Sequence, residues 1–158
     1  MSRAFTKEID DVPPPPVPER AISAARNLVT PNGARQIEQA IAALNQQIEA
    51  TGGSDALAAL KRDLRYWEAR RASMEIIEPV AAPTAVRFGA HVTINRNGKI
   101  RDIHIVGEDE ANPSAGAIAW TSPLARALES ASKGDVVEFE AAGHEEEIVV
   151  LSIIGAGE

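Results

Sequence analysis

The side chains of this sequence best able to do chemistry are carboxylates. The run Glu108-Asp109-Glu110 directly follows the apolar run Ile105-Val106-Gly107, and Glu49 and Asp55 flank a pair of glycines in the first half of the chain. Carboxylates can hold a divalent cation or offer negative charge to a basic or N–H-rich partner. The β-branched run before the three acids predicts a strand that ends at the glycine and presents them in a loop. An ordinary solvated turn is the simpler interpretation of that loop.

A second segment, Ser122-Pro123-Leu124-Ala125-Arg126, has the pattern of a helix start. The hydroxyl of Ser122 can accept a hydrogen bond from an N–H group of the first turn. Pro123 has its φ angle preset for the first helical position, where no backbone N–H is needed. We expect a short helix from Pro123 to about Ala131.

Independent enzymatic chemistry finds no support in the sequence. The chain has no cysteine, which excludes thiolate metal sites and disulfides. His91, His104 and His144 are scattered over separate predicted strands or turns without a nearby acidic or histidine partner, which argues against a metal site. There is no glycine-rich phosphate loop and no nucleophile elbow. We therefore expect no catalytic residue, no metal and no cofactor.

The charge balance points to protein partners. The formal net charge is −7 and the pI is about 5.0, with most of the excess negative charge in residues 79–158. Binding to nucleic acid requires clustered Lys and Arg, so we expect no direct sequence-specific DNA binding. No apolar run approaches the roughly 20 residues of a membrane helix. These features predict a soluble, cytoplasmic monomer that does not contact a membrane.

Three segments organise the chain, and the first is a proline-rich arm. In residues 1–26, Pro13-Pro14-Pro15-Pro16 and Pro18 exclude a helix and favour polyproline II. We expect this arm to be disordered or extended. A plain leader is favoured over a ligand for a partner domain that recognises proline-rich peptides.

Residues 27–78 predict a helical hairpin. Thr30 is a good N-cap before Pro31, Gly52-Gly53 is expected to end the first helix, and Ser54 is expected to cap the second. Apolar residues recur at spacings of three and four, which predicts a narrow, coiled-coil-like seam. They are Ala34, Ile37, Ile41, Leu44 and Ile48 in the first helix and Leu57, Leu60, Leu64, Trp67 and Met74 in the second, with Arg71 at one expected apolar position.

The second helix is also rich in cations, namely Lys61, Arg62, Arg65, Arg70 and Arg71. They could form a basic face that contacts RNA or the acidic rim of a channel. A solvated helix face, partly neutralised by acids three to four residues away, is the favoured interpretation.

Residues 79–158 predict a compact domain of the α+β class. Asn97-Gly98 separates the strands His91–Asn95 and Ile100–Val106 and is a strong hairpin signal. A strand over Ala117–Thr121, the helix from Pro123, and a closing hairpin of Val136–Glu140 with Glu147–Ile154 complete the predicted order. The expected architecture is an antiparallel sheet with one helix packed on a face.

In this order of segments the chain resembles the Gre family, bacterial transcript-cleavage factors that bind RNA polymerase. The resemblance covers about Leu28 to Leu151 and is most specific at Val86–Ala90, Ile105–Ala111, Ser122–Leu128 and Gly134-Asp135. It implies an FKBP-like C-terminal domain that binds core RNA polymerase near the secondary channel. The residues that it places in this contact are Glu108, Asp109, Glu110, Ser122, Pro123, Leu124 and Arg126.

At the hairpin tip the sequence departs from the family. Gre proteins carry a Gly-Asp-x-x-Glu-Asn-Ala-type motif there, whose acids help the polymerase to hold a second magnesium and a water. Here the tip is Ala50–Ala56, the motif is absent and the hairpin is several turns shorter. Asp55 is better explained as an acid in the first turn of a helix, and a Glu49/Asp55 pair is the one way left to support cleavage.

The resemblance and the departure together predict a Gre-type regulator of transcription elongation that binds RNA polymerase at the mouth of the secondary channel. We expect it to lack enzymatic activity of its own and not to stimulate transcript cleavage. One alternative is an active Gre-type factor that stimulates cleavage of backtracked RNA. Another is a regulator of nucleoside diphosphate kinase similar to Rnk, a Gre relative with a short hairpin.

Overall fold

Two antiparallel helices form the first half of the protein. The computed structural model describes residues 16–155. Helix α1 spans Pro31–Ala50, and helix α2 spans Ser54–Ser73. The hydroxyl of Thr30 accepts a hydrogen bond of 3.0 Å from the N–H of Gly33, which confirms the predicted N-cap. At the start of α2 the prediction is wrong, because Gly53 is the N-cap and Ser54 is the first helical residue.

The hairpin is held by a small apolar seam at the end away from its tip. Ile37 and Ile41 of α1 are buried. Leu64 and Trp67 of α2, and Met74 directly after it, pack against them. Arg71 does not lie along the seam as expected; it is exposed and its Nη1 is 3.4 Å from a carboxylate oxygen of Glu38 on α1. Its neighbour Arg70 is buried instead.

A short parallel pair of strands closes the base of the hairpin. Strand β1, Leu28–Val29, precedes α1, and strand β2, Glu75–Ile76, follows α2. The register pairs Leu28 with Glu75 and Val29 with Ile76. Two-residue strands carry no periodicity, so the sequence did not predict them.

The second half is a five-stranded sheet with one short helix. The strands are β3 (His91–Arg96), β4 (Lys99–Val106), β5 (Ala117–Ala119), β6 (Val136–Ala141) and β7 (His144–Ile154), in the order β5-β4-β3-β7-β6. The α+β class is confirmed, but the sheet is mixed, because β5 pairs with β4 in parallel. The chain between β4 and β5 forms two single-turn 3₁₀ helices, over Glu108–Glu110 and Pro113–Ala115. After them β5 runs parallel to β4.

Local signals in this half place its turns and helix correctly. Asn97 and Gly98 both have positive φ, 53° and 78°, as the tight turn between β3 and β4 requires. Helix α3 spans Pro123–Leu128 and is shorter than expected. Leu128, Val92, Ile94, Ile148 and Val150 lie in the buried core between α3 and the sheet. Within residues 16–155, no helix has an apolar stretch sufficient to cross a bilayer.

Candidate functional site

The acidic run Glu108-Asp109-Glu110 forms a single 3₁₀ turn at the end of β4. It faces the base of the helical hairpin, and each of its three carboxylates binds a group from the first half of the chain. We call these three residues the acidic turn. It is the point at which the two halves of the protein meet through polar contacts.

Asp109 forms the central contact, a buried salt bridge with Arg70 of α2. Arg70 Nε is 2.6 Å from Asp109 Oδ2, and the side chains are 2% and 9% exposed. The second oxygen of Asp109 accepts a hydrogen bond from the hydroxyl of Tyr66, one turn earlier on α2. Charge-assisted hydrogen bonds of this kind are shorter and stronger than neutral ones.

Asn27 completes the surroundings of Arg70. An Nη2 hydrogen of Arg70 is donated to Asn27 Oδ1 over 2.9 Å, and Asn27 Nδ2 donates back to the Arg70 carbonyl over 2.8 Å. Asn27 is itself 4% exposed. The guanidinium is therefore held from two directions, by a carboxylate of the C-terminal half and by an amide that precedes β1.

Glu110 binds at the start of α1. Its Oε2 accepts hydrogen bonds of 3.0 Å from the backbone N–H groups of Thr30 and Gly107, and its Oε1 accepts one from the Thr30 hydroxyl. Negative charge is favourable at a helix N-terminus, where backbone N–H groups lack partners. The same side chain thus ties the end of β4 to the first turn of the hairpin.

We call the contacts of the acidic turn with Thr30, Tyr66 and Arg70 the polar joint, or simply the joint. The segment Glu19–Arg26, which we call the N-terminal strap, runs beside it. Ser23 Oγ donates to Glu108 over 2.9 Å, and the Arg20 guanidinium lies 3.8 Å from the ring centre of Tyr66. Arg65 donates three hydrogen bonds to Glu19, with its Nε 3.0 Å and 3.2 Å from the two carboxylate oxygens and its Nη2 bound to Oε1. This part of the proline-rich arm has no helix or strand but is bound to the hairpin, and Pro13, Pro14 and Pro15 lie outside the described residues.

Burial at the joint changes the acidity of the only tyrosine. Desolvation and then the hydrogen bond to Asp109 raise the pKa of Tyr66 to about 12, because both favour the neutral phenol. Tyr66 also packs edge-on against Trp67, with ring centres 5.1 Å apart. At the joint, an aromatic pair thus lies next to the charged groups of Arg20, Arg70 and Asp109.

These contacts correct two predictions. The acidic turn was expected to present its carboxylates in an exposed loop, but all three residues are partly buried against the hairpin, and the side chain of Asp109 is only 9% exposed. Arg70 was expected on a solvated helix face, but it is the most enclosed cation of the described chain. Spacing along α2 pointed to Arg71 rather than Arg70, because the partner that holds Arg70 is 39 residues away.

The second predicted segment lies on another part of the C-terminal half. Ser122 Oγ accepts from the N–H of Ala125 over 3.3 Å, so the predicted cap of α3 is confirmed. Pro123 and Arg126 are exposed, whereas Leu124 packs on the core. Leu124 also lines a groove of about 800 Å³ that runs along β4, with Ile118, Ile100 and Ile103 and the cations Lys99 and Arg101. Ser122–Arg126 thus take no part in the described contacts of the acidic turn, and Leu124 places them beside an open groove whose lining also includes the acids Asp102 and Glu146.

The hairpin tip offers little to a metal ion. Glu49 lies in the last turn of α1 and Asp55 lies in the first turn of α2, and both are exposed. Within residues 16–155, no group of three or more His, Asp or Glu side chains is arranged to hold a metal ion. Asp55 is at the N-terminal end of a helix, where the helix dipole favours an acid.

Two of the three histidines, which the sequence did not connect, are neighbours across β3 and β4. The rings of His91 and His104 stack with centres 3.8 Å apart, and His104 Nε2 is 3.2 Å from the carbonyl oxygen of Gly89. Burial, and then the nearby His91, lower the pKa of His104 below its usual 6.5. His144 lies apart, at the start of β7.

Comparison with known proteins identifies the second half. Residues 81–154 match the family model described as the C-terminal part of the transcription elongation factors GreA/GreB. This range contains the whole five-stranded sheet, the acidic turn and the capped helix α3. Residues 81–154 are therefore similar to the C-terminal part of GreA/GreB factors.

Individual GreA and GreB proteins align over a similar stretch. Transcription elongation factor GreA of Cereibacter sphaeroides is 37% identical over 92 residues, which is 57% of this chain and 61% of that protein. Transcription elongation factor GreB of Neisseria meningitidis serogroup A is 35% identical over 97 residues, 60% of each chain. The aligned part thus spans about three fifths of these relatives. The solved structure of a GreA/GreB elongation factor from Nitrosomonas europaea matches 82% of this chain and 98% of its own, with 18% identity and a TM-score of 0.41.

Proposed function

We propose that this protein regulates transcription elongation by binding core RNA polymerase through its GreA/GreB domain. The observation that carries the proposal is the family match over residues 81–154, which covers the sheet, α3 and the groove beside them. The binding surface that we propose is formed by Ser122, Pro123, Leu124 and Arg126 together with this groove. The acidic turn is not included in this surface, because its carboxylates are already bound within the chain.

The chemistry of the groove suits a protein partner. Ile100 is 69% exposed on β4, between the cations Lys99 and Arg101. Exposed apolar side chains next to charges are typical of protein–protein contacts, where the apolar centre supplies affinity and the charged rim sets the orientation. A partner segment with an apolar side chain flanked by acids would complement this edge.

We propose further that the protein occupies the mouth of the secondary channel without stimulating transcript cleavage. A carboxylate-assisted magnesium reaction needs acids brought together at the tip. Glu49 and Asp55 are exposed on different helices, and each helix of 20 residues extends only about 30 Å. A protein with an intact binding domain and such a tip would act as a competitor of channel-binding factors.

The binding surface can be tested with two matched variants. Ile100→Asp places a charge in the groove, and Val136→Asp places the same charge at another exposed β-branched position, 56% exposed on the far edge strand β6. In a pull-down with core polymerase, the first variant should lose binding and the second should retain it. Equal binding by both variants would contradict the proposed surface.

The second half of the proposal needs a cleavage assay on a backtracked elongation complex. The protein alone should release no shortened transcript, and added before a cleavage-stimulating Gre factor it should slow that factor in proportion to occupancy. Magnesium-dependent cleavage that disappears in Glu49→Ala or Asp55→Ala would instead establish the active-factor alternative.

A further inference from the structure

The two halves of the protein have separate apolar cores. One buried cluster lies in the hairpin, around Val29, Ile37 and Ile41, and the other lies in the C-terminal domain, around Ile94, Leu128 and Ile148. The clusters share no residue. Apolar packing is non-directional, so the bonds that can fix the angle between the halves are the directional ones of the polar joint.

We propose that Arg70 is a positioning residue, which fixes the direction of the hairpin relative to the C-terminal domain, and that the N-terminal strap locks it in place. Arg70 can do so because its planar guanidinium donates in fixed directions. Nε is directed to Asp109 of the acidic turn, while Nη2 is directed to Asn27 at the base of the hairpin. Rotation of the hairpin about its base would break at least one of these bonds and leave a buried charge without its partner, which is strongly unfavourable.

The neighbouring contacts restrict the same motion from other sides. Glu110 holds the start of α1 through the N–H of Thr30, and Tyr66 holds the second oxygen of Asp109. Both helices of the hairpin are therefore tied to one turn of three residues. Two separated anchors prevent a rotation that a single salt bridge would permit.

The strap adds further contacts that link the hairpin to the acidic turn. Arg20 covers the ring of Tyr66, and Ser23 binds Glu108, so the strap spans the hairpin and the acidic turn. Its other contacts are with the hairpin. Arg20 lies 3.6 Å from Asp63, Glu19 pairs with Arg65, and Arg26 Nη2 is 2.7 Å from a carboxylate oxygen of Glu75. The N-terminal strap thus helps to fix the direction of the hairpin relative to the C-terminal domain.

Spin-label distance measurements on the free, full-length protein test this inference, and they do not depend on polymerase binding. The chain has no cysteine, so labels attach only where one is introduced. Ala50→Cys at the hairpin tip and Lys133→Cys in the C-terminal domain are both exposed positions. We expect one narrow tip-to-domain distance in the parent protein.

The decisive variant replaces the ion pair by apolar side chains of similar size. Such a replacement often leaves stability unchanged, whereas it removes the directional bonds. Arg70→Met with Asp109→Leu should therefore unfold at a urea midpoint close to that of the parent protein while the narrow distance is lost. Arg71→Met is the matched control, because Arg71 pairs with Glu38 inside the hairpin, and its distance distribution should stay narrow.

The role of the strap is tested with Arg20→Ala combined with Ser23→Ala, against Arg35→Ala on the exposed face of α1 as control. The strap variant should broaden the distance distribution, and the control should not. A second label pair within the C-terminal domain, Lys133→Cys with Glu145→Cys, must stay narrow throughout, which shows that the domain remains folded. A tip-to-domain distance that stays narrow in the Arg70→Met/Asp109→Leu protein would overturn the positioning role, and one that stays narrow in the strap variant would overturn the strap.

Discussion

Glu110 and Thr30 are 80 residues apart in sequence, yet the Glu110 carboxylate forms part of the N-terminal cap of α1. Thr30 Oγ1 accepts from the Gly33 N–H and donates to Glu110 Oε1, while the Thr30 N–H donates to Glu110 Oε2. The first turn of the hairpin is therefore completed by a side chain of the C-terminal domain. Helix capping, normally a local matter, is here a contact between two halves of a protein.

Gly33→Ala should destabilise the protein. A methyl group at position 33 would overlap the Glu110 carboxyl group, although alanine is otherwise the better helix former. We expect a loss of about 1–3 kcal/mol in the free energy of unfolding, as for other overpacked sites. Urea denaturation measures it. Gly52→Ala is the control, because a Cβ there meets nothing within 4 Å, and it should be nearly neutral.

Asp109→Ala should cost far more stability than an exposed acid would. The change leaves the Arg70 guanidinium, 2% exposed, without its carboxylate. Breaking a buried pair on one side typically costs about 3–5 kcal/mol. Urea denaturation should show a loss of this order for Asp109→Ala and almost none for Asp55→Ala at the exposed hairpin tip. Similar midpoints for both variants would contradict the burial of the joint.

Tyr66 should titrate well above an ordinary phenol. It is the only tyrosine, so tyrosinate absorbance reports it alone, with an expected midpoint near pH 12 in the native protein and near 10.0 in urea. Because the folded state holds the phenol proton more tightly, the stability that it contributes is present below pH 10.0 and is lost as the pH rises toward about 12. Asp109→Asn should lower the native midpoint, since it removes the charge that opposes ionisation.

Acidification should destabilise the protein through His104. Its pKa is lowered in the folded state, so below pH 6.5 the unfolded chain binds the proton more readily. The stability contributed by the neutral ring is complete above pH 6.5 and declines as the pH falls from there. Urea midpoints between neutral and mildly acidic pH should show this slope, His104→Gln should reduce it, and the exposed His144→Gln should not. A slope unaffected by His104→Gln would assign the acid sensitivity to other groups.

The sequence by itself determined the local elements. Thr30 with Pro31, Ser122 with Pro123, and Asn97 with Gly98 act within three or four residues, where backbone geometry and capping leave few alternatives. The apolar spacing of α1 likewise reflects a single element, and the structure confirms it. The resemblance of residues 79–158 to the Gre family depends on the same kind of short, ordered signal.

The tertiary structure alone decided the parts that join these elements. Arg70 and Arg71 are indistinguishable by residue type, and only the position of Asp109, 39 residues from Arg70, makes one a buried anchor and the other a surface cation. The parallel pairing of β5 and the two-residue strands at the hairpin base also depend on partners far along the chain. Periodicity indicates which face of an element is apolar, but it does not indicate which distant charged residue will contact that element. From the sequence the acidic turn was expected to contact a partner protein. In the structure its carboxylates bind the first half of the same chain.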